Sequence, residues 1–91
     1  MSKPLGYYTS YTPGERSILG DIQNKYGSHL EGLNVREKLF FIQYICTYLA
    51  NRANGNIRPE MHWVAWECTD QLEPTDMEGL LHALIEQIRA N

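Results

Sequence analysis

The three histidines and two cysteines are the residues of this 91-residue chain best suited to metal binding or nucleophilic chemistry. His29, His62 and His82 never meet the i, i+4 spacing that places two ligands on one helical face, and the chain has no HExxH or CxxC motif. A site assembled in three dimensions from His62, His82 and Cys68 is the alternative. We predict no metal and no cofactor, and we expect the histidines to be hydrogen-bonded or partly exposed.

Both cysteines, Cys46 and Cys68, fall within apolar helical patterns. Buried thiols behave as small hydrophobic groups with a raised pKa, so the pattern predicts inert core cysteines rather than nucleophiles. The two could face one another in the core. Since no signal-peptide pattern precedes them, we expect reduced thiols and a cytoplasmic protein.

Glu60 and Glu67 share a helical face at i, i+7, which could form a catalytic pair or an ordinary solvated face. Catalysis would also need a concave, dry site, whereas the predicted inward faces lack convergent polar groups. The chain has no glycine-rich phosphate loop, GxSxG elbow or Walker-type lysine. We therefore predict a protein that is not an enzyme. The alternative is a small helical enzyme or ligand-binding bundle with its site between the third and fourth predicted helices.

Two tryptophans, Trp63 and Trp66, are the strongest indication of a binding surface. On a helical projection they lie opposite the apolar residues of their own helix, interleaved with Glu67 and Asp70. Tryptophan is enriched at interface hot spots because its rigid ring buries a large area at low entropic cost. The pattern predicts an interface with acidic rims, shared with a second copy or with a foreign protein. Alternatively, the N-terminal arm covers these rings within the same chain.

That arm, residues 1–11, contains Tyr7, Tyr8 and Tyr11 together with proline, glycine and serine, and shows no helical periodicity. We predict an extended segment that contributes to partner binding. It could cover a groove of its own subunit or cross to another, and simple disorder is the third possibility.

Start signals predict four helices. Capping boxes begin at Thr12, Asn34 and Thr75, and Pro59 lies in the first turn of the remaining helix. The predicted helices cover residues 13–26, 35–54, 59–72 and 76–90. Short links favour antiparallel neighbours, so the fold class is all-α: a compact bundle of four helices forming one domain over residues 12–91.

The second predicted helix is apolar nearly all round. One stripe steps by three and four residues along Val35, Leu39, Ile42, Cys46, Leu49 and Ala53. A second set covers most of the remaining circumference, namely Phe40, Phe41, Tyr44, Ile45 and Tyr48. Because a helix of this kind is usually surrounded, the pattern predicts the buried hub of the bundle.

Charge argues against nucleic acid. Residues 1–59 carry seven basic and four acidic side chains, whereas residues 60–91 carry one basic and seven acidic side chains, which would repel phosphate. The most apolar run, at 39–50, is too short to span a bilayer, so membrane insertion is not expected. We predict a protein–protein interaction, regulatory or assembly module, and self-association as a dimer, because the apolar and aromatic content exceeds the needs of one small core.

Overall fold

The computed structural model describes Lys3, residues 5–9 and residues 18–90. Over these residues the chain is all-α, as predicted, and contains no strand. A single turn, α1 (Leu5–Tyr8), precedes the longer helices α2 (Ile18–Tyr26), α3 (Val35–Arg52), α4 (Met61–Gln71) and α5 (Pro74–Ala90). The chain divides into two units, Met1–Ala53 and Asn54–Asn91. The single domain over residues 12–91 stays a prediction.

The N-terminal arm differs from the extended segment that the sequence predicts. Residues Leu5–Tyr8 form the turn α1, because the backbone N–H and the hydroxyl of Thr9 both donate to the carbonyl of Leu5, at 3.0 and 2.9 Å. The ammonium of Lys3 lies 4.1 Å from the centre of the Tyr7 ring. Each of these contacts joins residues close together in the sequence. Local hydrogen bonds therefore stabilise the turn, although its sequence has no helical periodicity.

Helix α2 ends where the sequence predicts. Gly27 has φ +104°, a left-handed conformation that favours glycine, and its N–H donates to the carbonyl of Gln23 at 2.8 Å. The start predicted at Thr12 lies outside the described residues. The described part of α2 contains one buried residue, Gly20.

Helix α3 begins with the predicted capping box. The side-chain oxygen of Asn34 accepts the N–H of Glu37 at 2.8 Å, and the carboxylate of Glu37 accepts the N–H of Asn34 at 3.0 Å. Two backbone donors without helical partners are thereby satisfied. The helix ends at Arg52, two residues before the predicted end, with Ala53 in an extended conformation.

The prediction of α3 as a buried hub is wrong. Every residue of this helix is exposed, including Leu39, Ile42 and Tyr44 at 44%, 42% and 72%. No described hydrophobic side chain in either unit is fully buried, so the compact core expected for a bundle is not seen in these residues. Periodicity identifies side chains that would gain free energy from burial, but burial also requires an element against that face.

In the second unit, α4 starts without a side-chain cap, since Glu60 makes no capping hydrogen bond. Helix α5 starts at Pro74, so the capping box predicted at Thr75 is wrong because Thr75 lies inside the helix. The carbonyl of Glu73 instead accepts the N–H groups of Asp76 and Met77, both at 3.0 Å. Proline favours this earlier start, because its fixed φ suits the first helical position and the absent N–H needs no partner there.

Within the described residues, no helix has the length and apolar character required to cross a membrane.

Candidate protein-binding surfaces

The tryptophan face of α4, defined here as Trp63, Trp66, Glu67 and Asp70, is the first candidate surface. Both rings are exposed, Trp63 at 67% and Trp66 at 56%. Their centroids lie 6.1 Å apart with the ring planes at 89°, the edge-to-face geometry that aromatic pairs prefer. The two rings therefore form one contiguous aromatic patch rather than two separate exposed side chains.

Two exposed carboxylates accompany this patch. Glu67 lies four residues after Trp63, and Asp70 lies four residues after Trp66, so each carboxylate is a neighbour of one ring along the helix. An aromatic centre with a charged rim is the usual anatomy of a protein interface. The structure therefore brings the four predicted α4 residues together on one surface.

The opposite face of α4 contributes to a second candidate surface, the α4–α5 groove, with a volume of about 560 Å³. From α4 it is lined by Met61, Val64, Ala65, Cys68 and Thr69. From α5 it is lined by Met77, Leu80, Leu81 and Leu84. These are mostly the residues that the sequence pattern assigns to inward faces. The two faces do converge, but leucines such as Leu80 and Leu81 keep 39% of their surface exposed.

The polar atoms of the groove wall are few. The hydroxyl of Thr69 donates to the carbonyl of Trp66 at 2.8 Å, which satisfies it within α4 and leaves the methyl group for the groove. Cys68 is half-buried there and its thiol is free. A smaller cavity of about 220 Å³ adjoins, lined by Val64 and Cys68 together with Glu67. Glu67 thus lies at the boundary between the groove and the tryptophan face.

The tyrosines of the N-terminal arm are predicted to contribute to partner binding. Of these, Tyr7 and Tyr8 are exposed at 65% and 45%. Their rings lie 5.1 Å apart in an edge-to-face arrangement. Tyr11 lies outside the described residues. The described part of the arm therefore presents an aromatic pair comparable in geometry to that of α4.

The histidines and cysteines form no described metal centre. His62 and His82 are exposed, and no group of three or more histidine, cysteine, aspartate or glutamate residues within the described part could hold an ion. The core position predicted for Cys46 is wrong, since this thiol is exposed on α3. Within the described residues of the first unit, no element buries the apolar stripe that contains Cys46.

An exposed carboxylate organises the link between α2 and α3. The carboxylate of Glu31 accepts hydrogen bonds from its own backbone N–H and, at 3.1 Å, from the backbone N–H of His29. These hydrogen bonds lower the pKa of Glu31. A side chain added at Gly27 would meet this carboxylate, so glycine is favoured there by space as well as by conformation. The sequence patterns used for the helices contain no signal for this arrangement.

The sequence pattern also fails to predict that aromatic residues of α3 are exposed, because it assigns them to a core. Phe40 and Tyr44 lie 6.3 Å apart with ring planes tilted by 45°, and both line a surface depression of about 390 Å³. Their i, i+4 spacing was the available signal, but it does not distinguish a core from an open surface.

No protein-family model, curated protein or solved structure matches the chain.

Proposed function

We propose that this protein is a non-catalytic interaction module, with a regulatory or assembly role, that binds another protein through the tryptophan face of α4. The observation that carries the proposal is the contiguous, exposed Trp63–Trp66 pair. Leaving two indole rings in water forgoes the free energy of burying them, and a partner surface can recover it.

The charges around the rings support a basic or polar partner surface. Residues 60–90 carry seven acidic side chains and one basic side chain, and Glu67 and Asp70 lie beside the rings. Lysine or arginine side chains of a partner could pair with these carboxylates while their aliphatic stems cover the indoles. Opposite charge would accelerate encounter and make it sensitive to salt.

The proposal also includes a cytoplasmic location, self-association as a dimer and a supporting contact from the N-terminal arm. The exposed apolar side chains of both units support self-association, because exposed apolar clusters commonly mark interaction sites. The exposed Tyr7–Tyr8 pair supports the arm, since tyrosine is enriched at interfaces for the same reasons as tryptophan.

A ligand-binding bundle is the second candidate function. The groove between α4 and α5 favours it, because that apolar concavity lies where the alternative site is expected. Its lining supports binding of an apolar group rather than acid–base chemistry, since its residues carry no carboxylate or imidazole.

Affinity capture from extracts of the source cells tests the interaction. The tagged full chain is compared with the Trp63→Ala/Trp66→Ala variant and with Phe40→Ala/Tyr44→Ala, a matched variant that removes an exposed aromatic pair from α3. The proposal expects a specific protein to be recovered by the native chain and by the matched variant, and lost with the tryptophan variant.

Fluorescence with the purified partner supplies the direct test. Both tryptophans of the chain lie on this face, so emission reports on it without interference from other indoles. Binding should shift emission to shorter wavelength as the rings leave water. Equal capture by the tryptophan variant, together with unmoved emission at saturation, would refute the proposal.

A further inference from the structure

The α4–α5 groove has the dimensions of a binding site for one helix. Its α4 wall runs from Met61 to Thr69 and its α5 wall from Met77 to Leu84, which at 1.5 Å per residue gives about 10–12 Å, or two helical turns. Helices that dock into apolar grooves insert anchors at i, i+3 or i+4, and i+7, which span the same distance.

Helix α3 carries a matching set of anchors. Leu39, Ile42 and Cys46 stand at i, i+3 and i+7, and Leu49 continues the row. All four are exposed, with Leu39 at 44% and Ile42 at 42%. These residues define the α3 stripe, which has the length and spacing to fill the groove.

Charge favours the same pairing. On a 100° projection Arg36 flanks one side of the α3 stripe, Lys38 and Arg52 flank the other, and Glu37 lies on the back of the helix. The groove has the opposite sign at its margins. Glu67 borders the cavity beside the α4 wall, and Asp76 and Glu78 flank the apolar face of α5.

We propose that the α4–α5 groove is the self-association site, and that its occupant is the α3 stripe of a second copy of this chain. The inference rests on the self-association that belongs to the proposed function, and it assigns that contact to a surface that does not include Trp63 or Trp66. Basic flanks on α3 then meet acidic margins on the groove, which favours this pairing electrostatically.

The docking brings together the two cysteines of the chain from different copies. Cys46 lies at the centre of the α3 stripe, and Cys68 lines the groove. A thiol-to-thiol cross-linker can therefore detect the contact between the two copies directly, without an introduced cysteine.

Two single-cysteine variants test it. Cys68→Ala retains only the α3 thiol, Cys46→Ala retains only the groove thiol, and a short bismaleimide is added to each alone and to their mixture. We expect a covalent dimer to dominate only in the mixture. A native chain that cross-links within itself and yields no dimer would overturn the proposal.

Equilibrium sedimentation gives an independent result that does not depend on thiol reactivity. Leu81→Asp places a charge in the groove and Ile42→Asp places one in the stripe, and helicity by circular dichroism verifies that each variant folds. Each should raise the dimer Kd at least tenfold. Mixing the two should restore part of the association, since one copy keeps an intact stripe and the other keeps an intact groove.

Trp63→Ala/Trp66→Ala is the matched control and should leave the dimer Kd unchanged. Loss of association in this control, or a chain that stays monomeric at all concentrations, would overturn the inference. If capture of a foreign partner still depends on the tryptophans, the proposed function survives that outcome. If the dimer is verified but capture is indifferent to the tryptophans, the proposed function fails alone.

Discussion

Helices α3 and α4 are both rich in apolar and aromatic residues, but they distribute them differently around the helix. In α4 the apolar and the aromatic residues are segregated: Cys68 and its neighbours line the groove, whereas Trp63 and Trp66 lie on the opposite side. In α3 they extend nearly all round, from the stripe through Phe40 to Tyr48, and every residue is exposed. The apolar content of α3 therefore does not by itself show where one surface ends and another begins, whereas segregation divides α4 into two separate surfaces.

The helices also differ in how they begin. Helix α3 has a complete capping box at Asn34, whereas α4 begins after Glu60 without a side-chain cap. Local hydrogen bonds therefore support α3 even though its side chains are exposed. Helix α4 has no such side-chain cap and presents its apolar residues to the open groove.

The largest expected effect tests the segregation of α4 directly. Trp63→Ala should weaken binding of a protein partner by about 2 kcal/mol, or roughly 30-fold, because a central indole is lost from the interface. Phe40→Ala, on the unsegregated α3, should change the same Kd by less than about threefold. Isothermal titration calorimetry with the purified partner measures both, and equal losses would remove the distinction between the two helices.

A capping variant tests the difference in helix starts. Asn34→Ala removes the side-chain acceptor for the N–H of Glu37, so the free energy of unfolding should fall by about 1 kcal/mol. Glu60→Ala, its counterpart before α4, should cost at most a few tenths of a kcal/mol, since only a helix-dipole interaction is removed. Urea unfolding followed by circular dichroism compares the two. A larger loss for Glu60→Ala would contradict this account.

Two glycines of the second unit differ in backbone conformation, so the same substitution should have opposite effects on stability. An added Cβ meets open space at both Gly79 and Gly55. Gly79→Ala, inside α5, should raise the free energy of unfolding by about 1 kcal/mol through helix propensity. Gly55→Ala should instead lower it, because φ is +112° at this position. Thermal unfolding of both variants decides the sign, and a gain at both positions would mean that Gly55 does not hold this conformation.

The smallest expected effect concerns the link that precedes α3. Hydrogen bonds to its ionised form lower the pKa of Glu31 in the folded chain, so the associated stability is present above the ordinary glutamate value of 4.5 and is lost as the pH falls. Glu31→Gln should remove this part of the acid sensitivity while leaving stability at neutral pH slightly reduced. Unfolding free energies measured across the acidic range test the slope. An unchanged slope in the variant would show that other carboxylates account for it.

The sequence predicts local features better than contacts between elements. The cap at Asn34 and the stop at Gly27 are correct because both depend on residues within one turn of the chain. The start of α5 is misplaced because Pro74 and Thr75 offer competing signals one residue apart. Helical periodicity correctly groups the residues that line the groove. The same reasoning wrongly predicts that α3 is buried, because periodicity does not show whether another element covers a face.

For the candidate site, the sequence correctly places Trp63 and Trp66 together, because a spacing of three residues on a helix fixes their proximity. It does not predict that the groove stays open or that Cys46 is exposed. Those properties depend on how faces meet in space, which a pattern along the chain does not encode.

Thr69 is subject to two constraints at once. It lines the groove, and its hydroxyl donates to the backbone carbonyl of Trp66 within the same helix. Valine would keep the branched shape and lose the hydroxyl, whereas serine would keep the hydroxyl and lose the methyl group. Only threonine combines a methyl group that can line an apolar groove with a hydroxyl whose hydrogen bond is satisfied inside its own helix. A polar residue can therefore stand in the wall of this groove without presenting an unpaired donor to an apolar occupant.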